Sequence, residues 1–270
     1  MEKRKVLIVG DNSFVGRSFY NSIKLHDIVI ANIIPYSQLH HIDLKLYDVV
    51  INCAITYEYK TQKYNDKYDL DYLVGLKAQE SGCHYVMMST RKVYGNSTDL
   101  LIYDELSSLN PFDRYSENKA NTEMALDALV DNLTILRGSN MYGFELGRSS
   151  FVGYCMTQLK SLNTIDYDMD ENIKRDFISI DSVCEVLNRV CLVKPKGIFN
   201  LSSHYGLPIG EVARFLILGY GSGKFSPSSA TQREQFILDN RRLEDVLLMR
   251  IAPNDYWSDF YTIGKKLWTI

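Results

Sequence analysis

Hydrophobic residues along the chain follow two alternating rhythms. Val6-Leu7-Ile8-Val9 is an unbroken apolar run that stops at Gly10, and from Phe14 to Leu25 apolar residues return at helical spacing, which predicts strand, tight turn and helix. A second strand is expected over 27–31. A third is expected over 48–54, after a polar stretch containing His40 and His41. Residues 69–79 read as an amphipathic helix, 84–89 as a strand, 115–129 as a helix and 133–136 as a strand. Apolar runs without polar alternation suit strands covered on both faces. Strands taking turns with helices predict an α/β chain with a doubly wound parallel sheet. Beyond Gly143 the rhythm loosens, and only 177–180 and 198–201 look like further short strands.

Composition narrows the class. The 270 residues are 46% hydrophobic, enough for a sizeable core. A net charge of -3 and a pI near 6.0 give no basic stripe for a phosphate backbone, so nucleic acid is not an expected partner. The five cysteines, Cys53, Cys83, Cys155, Cys184 and Cys191, are odd in number, lie mostly in apolar runs and show no paired CxxC spacing, which reads as reduced core thiols. The apolar run before Gly10 is only four residues long, too short for a secretory core or a membrane span, so a cytoplasmic protein off the membrane is expected. His40 and His41 are adjacent and cannot share one helical face, so no metal site is expected.

Three constellations carry chemistry. Gly10-Asp11-Asn12-Ser13-Phe14-Val15-Gly16 stands where the first strand turns into the first helix. There glycine lets the backbone approach a pyrophosphate that the helix N-terminus favours. Ser13 replaces a usual middle glycine, and Asp11 adds a carboxylate. Tyr115 and Lys119 are four apart on a predicted helix, so phenol and ammonium share a face, and a lysine there lowers the tyrosine pKa towards neutrality. Ser89 and Thr90 end a buried strand, where catalytic groups of open parallel sheets gather.

The order of these elements resembles the extended short-chain dehydrogenases, the group of NAD-dependent epimerases, dehydratases and reductases of nucleotide sugars. Asn52-Cys53-Ala54, Arg137-Gly138-Ser139-Asn140-Met141-Tyr142-Gly143, Arg175-Asp176-Phe177-Ile178-Ser179-Ile180-Asp181 and Gly197-Ile198-Phe199-Asn200-Leu201 fall in that family's order. The likeness runs from about Lys5 to Ser203, and the remainder to Ile270 matches nothing in it. The resemblance implies a Rossmann-type dinucleotide-binding part over 1–143, with 175–203 returning to its sheet. It also implies a small discontinuous C-terminal substrate-binding region from 144–174 and 204–270. It makes Tyr115 the general acid or base, with Lys119 tuning it and holding the nicotinamide ribose, and Thr90 polarising the reacting oxygen. Gly10, Ser13, Phe14, Val15 and Gly16 would line the cofactor phosphates, with Asn32 at the end of the second strand. Cys53, Ala54 and Ser139 would border the cofactor, Asn140 the nicotinamide and the sugar, and Arg175 the nucleotide diphosphate.

Departures from the pattern bear on the reaction. Family dehydratases carry an acidic pair directly after the threonine, where this chain has Arg91 and Lys92, and no cysteine lies between Cys83 and Cys155 for proton abstraction. Reduction of a keto group on a nucleotide-linked deoxysugar is therefore the favoured expectation. Epimerisation at C4 with one tightly held NAD, or a dinucleotide sensor without turnover, are the alternatives. The second strand ends Ile30-Ala31-Asn32 without an acidic residue for the ribose 2'-hydroxyl of NAD, which leans towards NADP over NAD. Arg17 is a weaker candidate for a 2'-phosphate, because a helix-surface arginine is usually solvated. The resemblance further implies a homodimer through the helices at 69–79 and 115–129.

Overall fold

The computed structural model describes residues 3–23, 29–227, 233–251 and 255–270. The first apolar run forms β1 (Arg4–Val9), which turns through Gly10 into α1 (Phe14–Ile23); β2 (Val29–Ile34) and β3 (Val49–Asn52) follow. Next come α2 (Tyr57–Thr61), α3 (Leu70–Ser81), β4 (His84–Thr90), β5 (Leu101–Tyr103), α4 (Arg114–Leu129), β6 (Leu133–Gly138) and β7 (Asn140–Tyr142). The second half runs α5 (Phe151–Leu162), β8 (Thr164–Tyr167), β9 (Lys174–Ser179), α6 (Ile180–Val193), β10 (Gly197–Leu201), β11 (Gly206–Pro208) and α7 (Ile209–Tyr220). It closes with β12 (Lys224–Pro227), β13 (Phe236–Leu238), α8 (Arg241–Leu247) and α9 (Tyr256–Trp268).

Six strands build one parallel sheet in the order β10-β6-β4-β3-β1-β2. Burial on both faces explains the unbroken apolar runs. Val6 and Ile8 of β1 point into a core shared with Phe19, Val183, Val190 and Leu243, from α1, α6 and α8. Leu7 and Val9 point into the opposite core with Val74, Tyr85 and Leu126. Each such side chain contributes about 1.5–3 kcal/mol by leaving water. Because β2 and β3 flank β1 on opposite sides, the chain reverses direction across the sheet there, and a crevice opens beyond the carboxyl ends of these strands.

The second strand runs three residues past its expected end, to Ile34, and stops at Pro35, which has no N–H to continue a ladder. Positions 27 and 28, expected in this strand, and Leu25, expected in the first helix, lie outside the described residues. Between β2 and β3 the chain makes only 3-10 turns, Tyr36–His41 and Leu44–Leu46, so this crossover carries no further strand.

The segment 175–203 divides between two sheets, which corrects the expectation that all of it returns to the central one. β10 pairs with β6, whereas β9 pairs with β7, β11 and β13. β9 carries two buried ionic residues, Arg175 and Asp176, that a strand between two apolar cores would leave unpartnered. In the smaller sheet Asp176 Oδ1 accepts the Ser203 N–H and Oγ–H at 3.1 Å each, and its Oδ2 accepts the Leu238 N–H at 3.3 Å. The C-terminal stretch also divides: Leu243, Leu247 and Ile251 pack on the central sheet, while α7 and α9 enclose a separate core with α5. The aromatic tail serves that packing. Tyr256 and Phe260 are buried in it, and Trp257 stacks on Phe215 with ring centres 4.7 Å apart. Two glycines permit the close approach: a Cβ on Gly219 would collide with Tyr261 O, and one on Gly264 with Leu216 O. Among the described residues no helix is long and apolar enough to cross a membrane.

Candidate active site

The glycine turn is a packing joint as well as a rim of the crevice. Gly10 has φ +111, its N–H donates to Ile34 O at 2.7 Å, and a Cβ there would lie 2.7 Å from Ala54 N. Gly16 faces Gly10 O, where a Cβ would come within 2.8 Å. Ser13, the departure from glycine, starts the helix: its N–H donates to Gly10 O at 3.0 Å, and its Oγ accepts the Gly16 N–H at 3.4 Å. The turn, Phe14 and Val15 line a cleft of about 920 Å³ together with Cys53, Ala54, Ile55 and Tyr115. The wall beyond β2 is made by Pro35, Tyr36 and Ser37. Asn32 is therefore displaced from its expected place: it lies inside the longer strand, beside Leu7, and its Oδ1 accepts the Tyr47 hydroxyl at 3.2 Å. No acidic residue stands at 35–37 either.

Cations at this cleft come from positions the sequence reading passed over. Lys60, Lys92 and Arg148 line it, and the Arg148 guanidinium lies 4.2 Å from the Phe14 ring centre while donating to Met141 O at 2.6 Å. Burial lowers the Arg148 pKa. Arg17, by contrast, is held outside by Glu145 and by Asn12 O at 3.0 Å.

Tyr115 sits where this cleft meets a smaller pocket lined by Asn52, Cys53, Asp71, Met88, Ser89, Lys119 and Met141. Asp113 caps α4, accepting the Ser116 N–H at 2.8 Å, so Tyr115 falls in the first turn and Lys119 one turn on. Lys119 is buried, with Nζ donating to Asp71 Oδ2 at 2.6 Å and to Met88 O at 2.8 Å. Asp71 Oδ1 accepts from Asn52 Nδ2 at 2.8 Å and from the Tyr85 hydroxyl at 2.9 Å. The net displacement of Tyr115 runs opposite to the expected acidification. Burial pushes the phenol above its ordinary value; Lys119 pulls it down, and Asp71 and Asp113 oppose that pull. The Lys119 ammonium is itself held protonated well above its ordinary range, because Asp71 and Tyr115 outweigh its burial. Cys53 is pushed up to about 12, first by burial and then by Asp71. Asp71 is a residue of this pocket that the sequence reading missed. Its signal was an acid on α3 at a core spacing, buried with Val74, Gly75 and Ala78.

The two hydroxyls at the end of β4 part company. Ser89 Oγ donates to Glu123, which holds Arg137 through Nε at 3.0 Å and Nη2 at 2.6 Å. Thr90 Oγ1 accepts the Lys92 N–H at 3.3 Å at the strand end. Ser139 N–H donates to Leu201 O at 3.0 Å, tying the loop after β6 to β10. Asn140 Nδ2 is buried without a hydrogen-bond partner among the described residues, one position before the pocket residue Met141. Arg175 is ion-paired with Glu234 at 3.1 Å, and Arg91 shares that carboxylate at 3.2 Å. A helix N-terminus at the switch point and a long cleft with cations along it fit a nicotinamide dinucleotide. Gly10 to Val15 would face its phosphates, and Tyr115 and Lys119 its reactive ring.

Comparison with known proteins agrees with this geometry. Among solved structures, an NAD dependent NDP-hexosamine 5,6-dehydratase, TunA, aligns over 99% of this chain and 98% of its own at 18% identity and a TM-score of 0.80. A UDP-N-acetylglucosamine 4-epimerase from Methanobrevibacter ruminantium M1 aligns over 100% and 99% at 15% identity and 0.82. RMD from Pseudomonas aeruginosa aligns over 99% of both chains at 16% and 0.75. At these identities the likeness establishes the fold. No curated protein matches the sequence. The model of the NAD dependent epimerase/dehydratase family matches residues 47–202, more than half of the chain, and the protein therefore belongs to that family of extended short-chain dehydrogenase enzymes, which work with NAD or NADP.

Proposed function

We propose that the protein reduces a keto group on a nucleotide-activated deoxysugar, with Tyr115 giving the proton. The bound cofactor, NADPH or NADH, supplies the hydride. The observation that carries this reading is the place of the Tyr115 phenol at the junction of cleft and pocket, one helical turn from a fixed ammonium and with no second acid and base next to Thr90. Arg91 is turned away, its guanidinium 4.0 Å from the Phe236 ring centre, and Lys92 is paired with Asp113 at 2.7 Å. Neither replaces the carboxylates that water elimination needs. Thr90 orients the substrate oxygen, Ser139 and Asn140 border the nicotinamide and sugar, and Arg175 meets the diphosphate in exchange for Glu234. The neighbours' substrates support the class, since one acts on an NDP-hexosamine and another is seen with UDP-N-acetylmuramic acid, while RMD is seen with NADPH. A homodimer across α3 and α4 fits the exposed Tyr68, Met124 and Leu129.

The test is oxidation of NADPH and NADH, followed at 340 nm, with a panel of nucleotide-linked keto-deoxyhexoses. The reading expects turnover with one panel member and a loss of about 10²–10⁴ in Tyr115→Phe. No oxidation, together with interconversion of C4 epimers by protein carrying its own NAD, would transfer the assignment to epimerisation.

A further inference from the structure

The ion pair of Lys119 and Asp71 is the most enclosed charge pair on the catalytic side of α4, each side chain being 4% exposed. Charges taken so far from water are stable together and costly apart. The carboxylate is anchored from two strands, by Asn52 of β3 and Tyr85 of β4, and the ammonium is fixed a second time by Met88 O. The positive charge one turn from Tyr115 is thus opposed at its source by a carboxylate that cannot move away. Of the remaining groups facing Tyr115, Asp113 opposes the ammonium in the same sense as Asp71. Asp113 at the helix cap is paired with Lys92, Asp69 at the cap of α3 accepts from Thr122 at 2.6 Å, and Tyr59 of α2 and Cys53 after β3 stay protonated because burial raises both. Lys60, Asp11, Glu145 and Arg148 lie around the cleft, with Glu145 paired to Arg17.

We propose that Asp71 is a positioning residue that biases the proton state of Tyr115: by opposing the field of Lys119 it helps keep Tyr115 a phenol at neutral pH, poised to give a proton and not to take one. The charge arrangement stands on geometry alone. Its catalytic meaning rests on the reductase reading, in which a carbonyl receiving hydride needs a donor, whereas oxidation of a hydroxyl needs a phenolate. Burial is the largest cause of the upward displacement of Tyr115, and Asp71 adds to it against the pull of Lys119, in keeping with this.

The experiment is a tyrosinate titration at 295 nm on protein without substrate, comparing wild type, Tyr115→Phe, Asp71→Asn, Asp71→Asn/Tyr115→Phe and Asp71→Glu. The difference between wild type and Tyr115→Phe isolates one tyrosine. Its step is expected above the ordinary tyrosine value of about 10. In the Asp71→Asn pair the step should move down by about one pH unit or more, the range a single close charge commands, and Asp71→Glu should keep the wild-type curve. A purely structural Asp71 would lower the melting temperature and leave the step in place, and that result overturns the proposal. If Asp71→Asn does not fold, the first pair decides alone: a step below the ordinary tyrosine value of about 10 would show the field of Lys119 prevailing over Asp71, and refutes it. Because no substrate is present, the titration stands or falls independently of any reductase assay.

Discussion

Beneath the candidate site, Glu123 and Arg137 form a second ion pair, 2% and 3% exposed, with Nη2 to Oε2 at 2.6 Å and Nε to Oε2 at 3.0 Å. The Arg137 guanidinium also donates to the Tyr94 hydroxyl at 3.0 Å, which donates onward to Asn200 Oδ1 at 2.7 Å, and Glu123 accepts from Ser89. This network joins α4 to the ends of β4, β6 and β10. Replacing Glu123 with Leu leaves a guanidinium buried without its carboxylate, and Arg137→Met leaves the carboxylate without its cation. Each should cost about 3–5 kcal/mol. The double variant removes both charges and puts apolar volume in their place, so it should cost less than either single change. Urea unfolding at constant m-value measures all four corners of the cycle. A double variant as unstable as the two single costs added together would refute the claim that the charges matter chiefly to each other.

Three further perturbations follow from the packing and the charges. Gly264→Ala drives a Cβ into Leu216 O and should force α7 and α9 apart, at about 1–3 kcal/mol and several degrees of melting temperature by calorimetry. Gly10→Ala meets Ala54 N at 2.7 Å with φ +111, so a melting-point loss should accompany at least about a tenfold weaker dinucleotide affinity; unchanged affinity would remove the turn from the cofactor site. Asp176, buried and raised from 3.8 to about 7, is protonated in the folded chain and ionised in the unfolded chain between those values, so folding stability is lost as pH rises through that window. Relative to Asp176→Asn, the wild type should lose at most about 4 kcal/mol from pH 4 to pH 8, and a difference that is flat with pH would contradict this.

The parallel sheet was legible because its strands are continuous apolar runs, and Gly10, Phe14 and Tyr115 lie close to breaks in that rhythm. Which face each residue serves was not, since a strand buried on both sides shows no alternation; Leu7 and Ile8 look alike and enter opposite cores. Asn32 was misplaced because Ile33 and Ile34 continue the strand to Pro35, so the residues beyond the strand end are Tyr36 and Ser37. The tyrosine and lysine could be paired by spacing within one helix. Asp71 and Arg148 reach the site from other elements, and only tertiary packing brings them there. The division of 175–203 was hidden for a similar reason: the partners of Asp176 are Ser203 and Leu238, and no local pattern reports them.

The central claim is that the crevice beyond β1 holds a nicotinamide dinucleotide against Tyr115 and Lys119. Calorimetric titration with NAD, NADH, NADP and NADPH, after mass spectrometry for any cofactor carried through purification, tests it most directly. The account predicts saturable one-site binding of at least one of them, with NADPH preferred, and release of the bound nucleotide when Gly10 is replaced by alanine. Absence of binding by all four, in protein carrying no cofactor of its own, would contradict it.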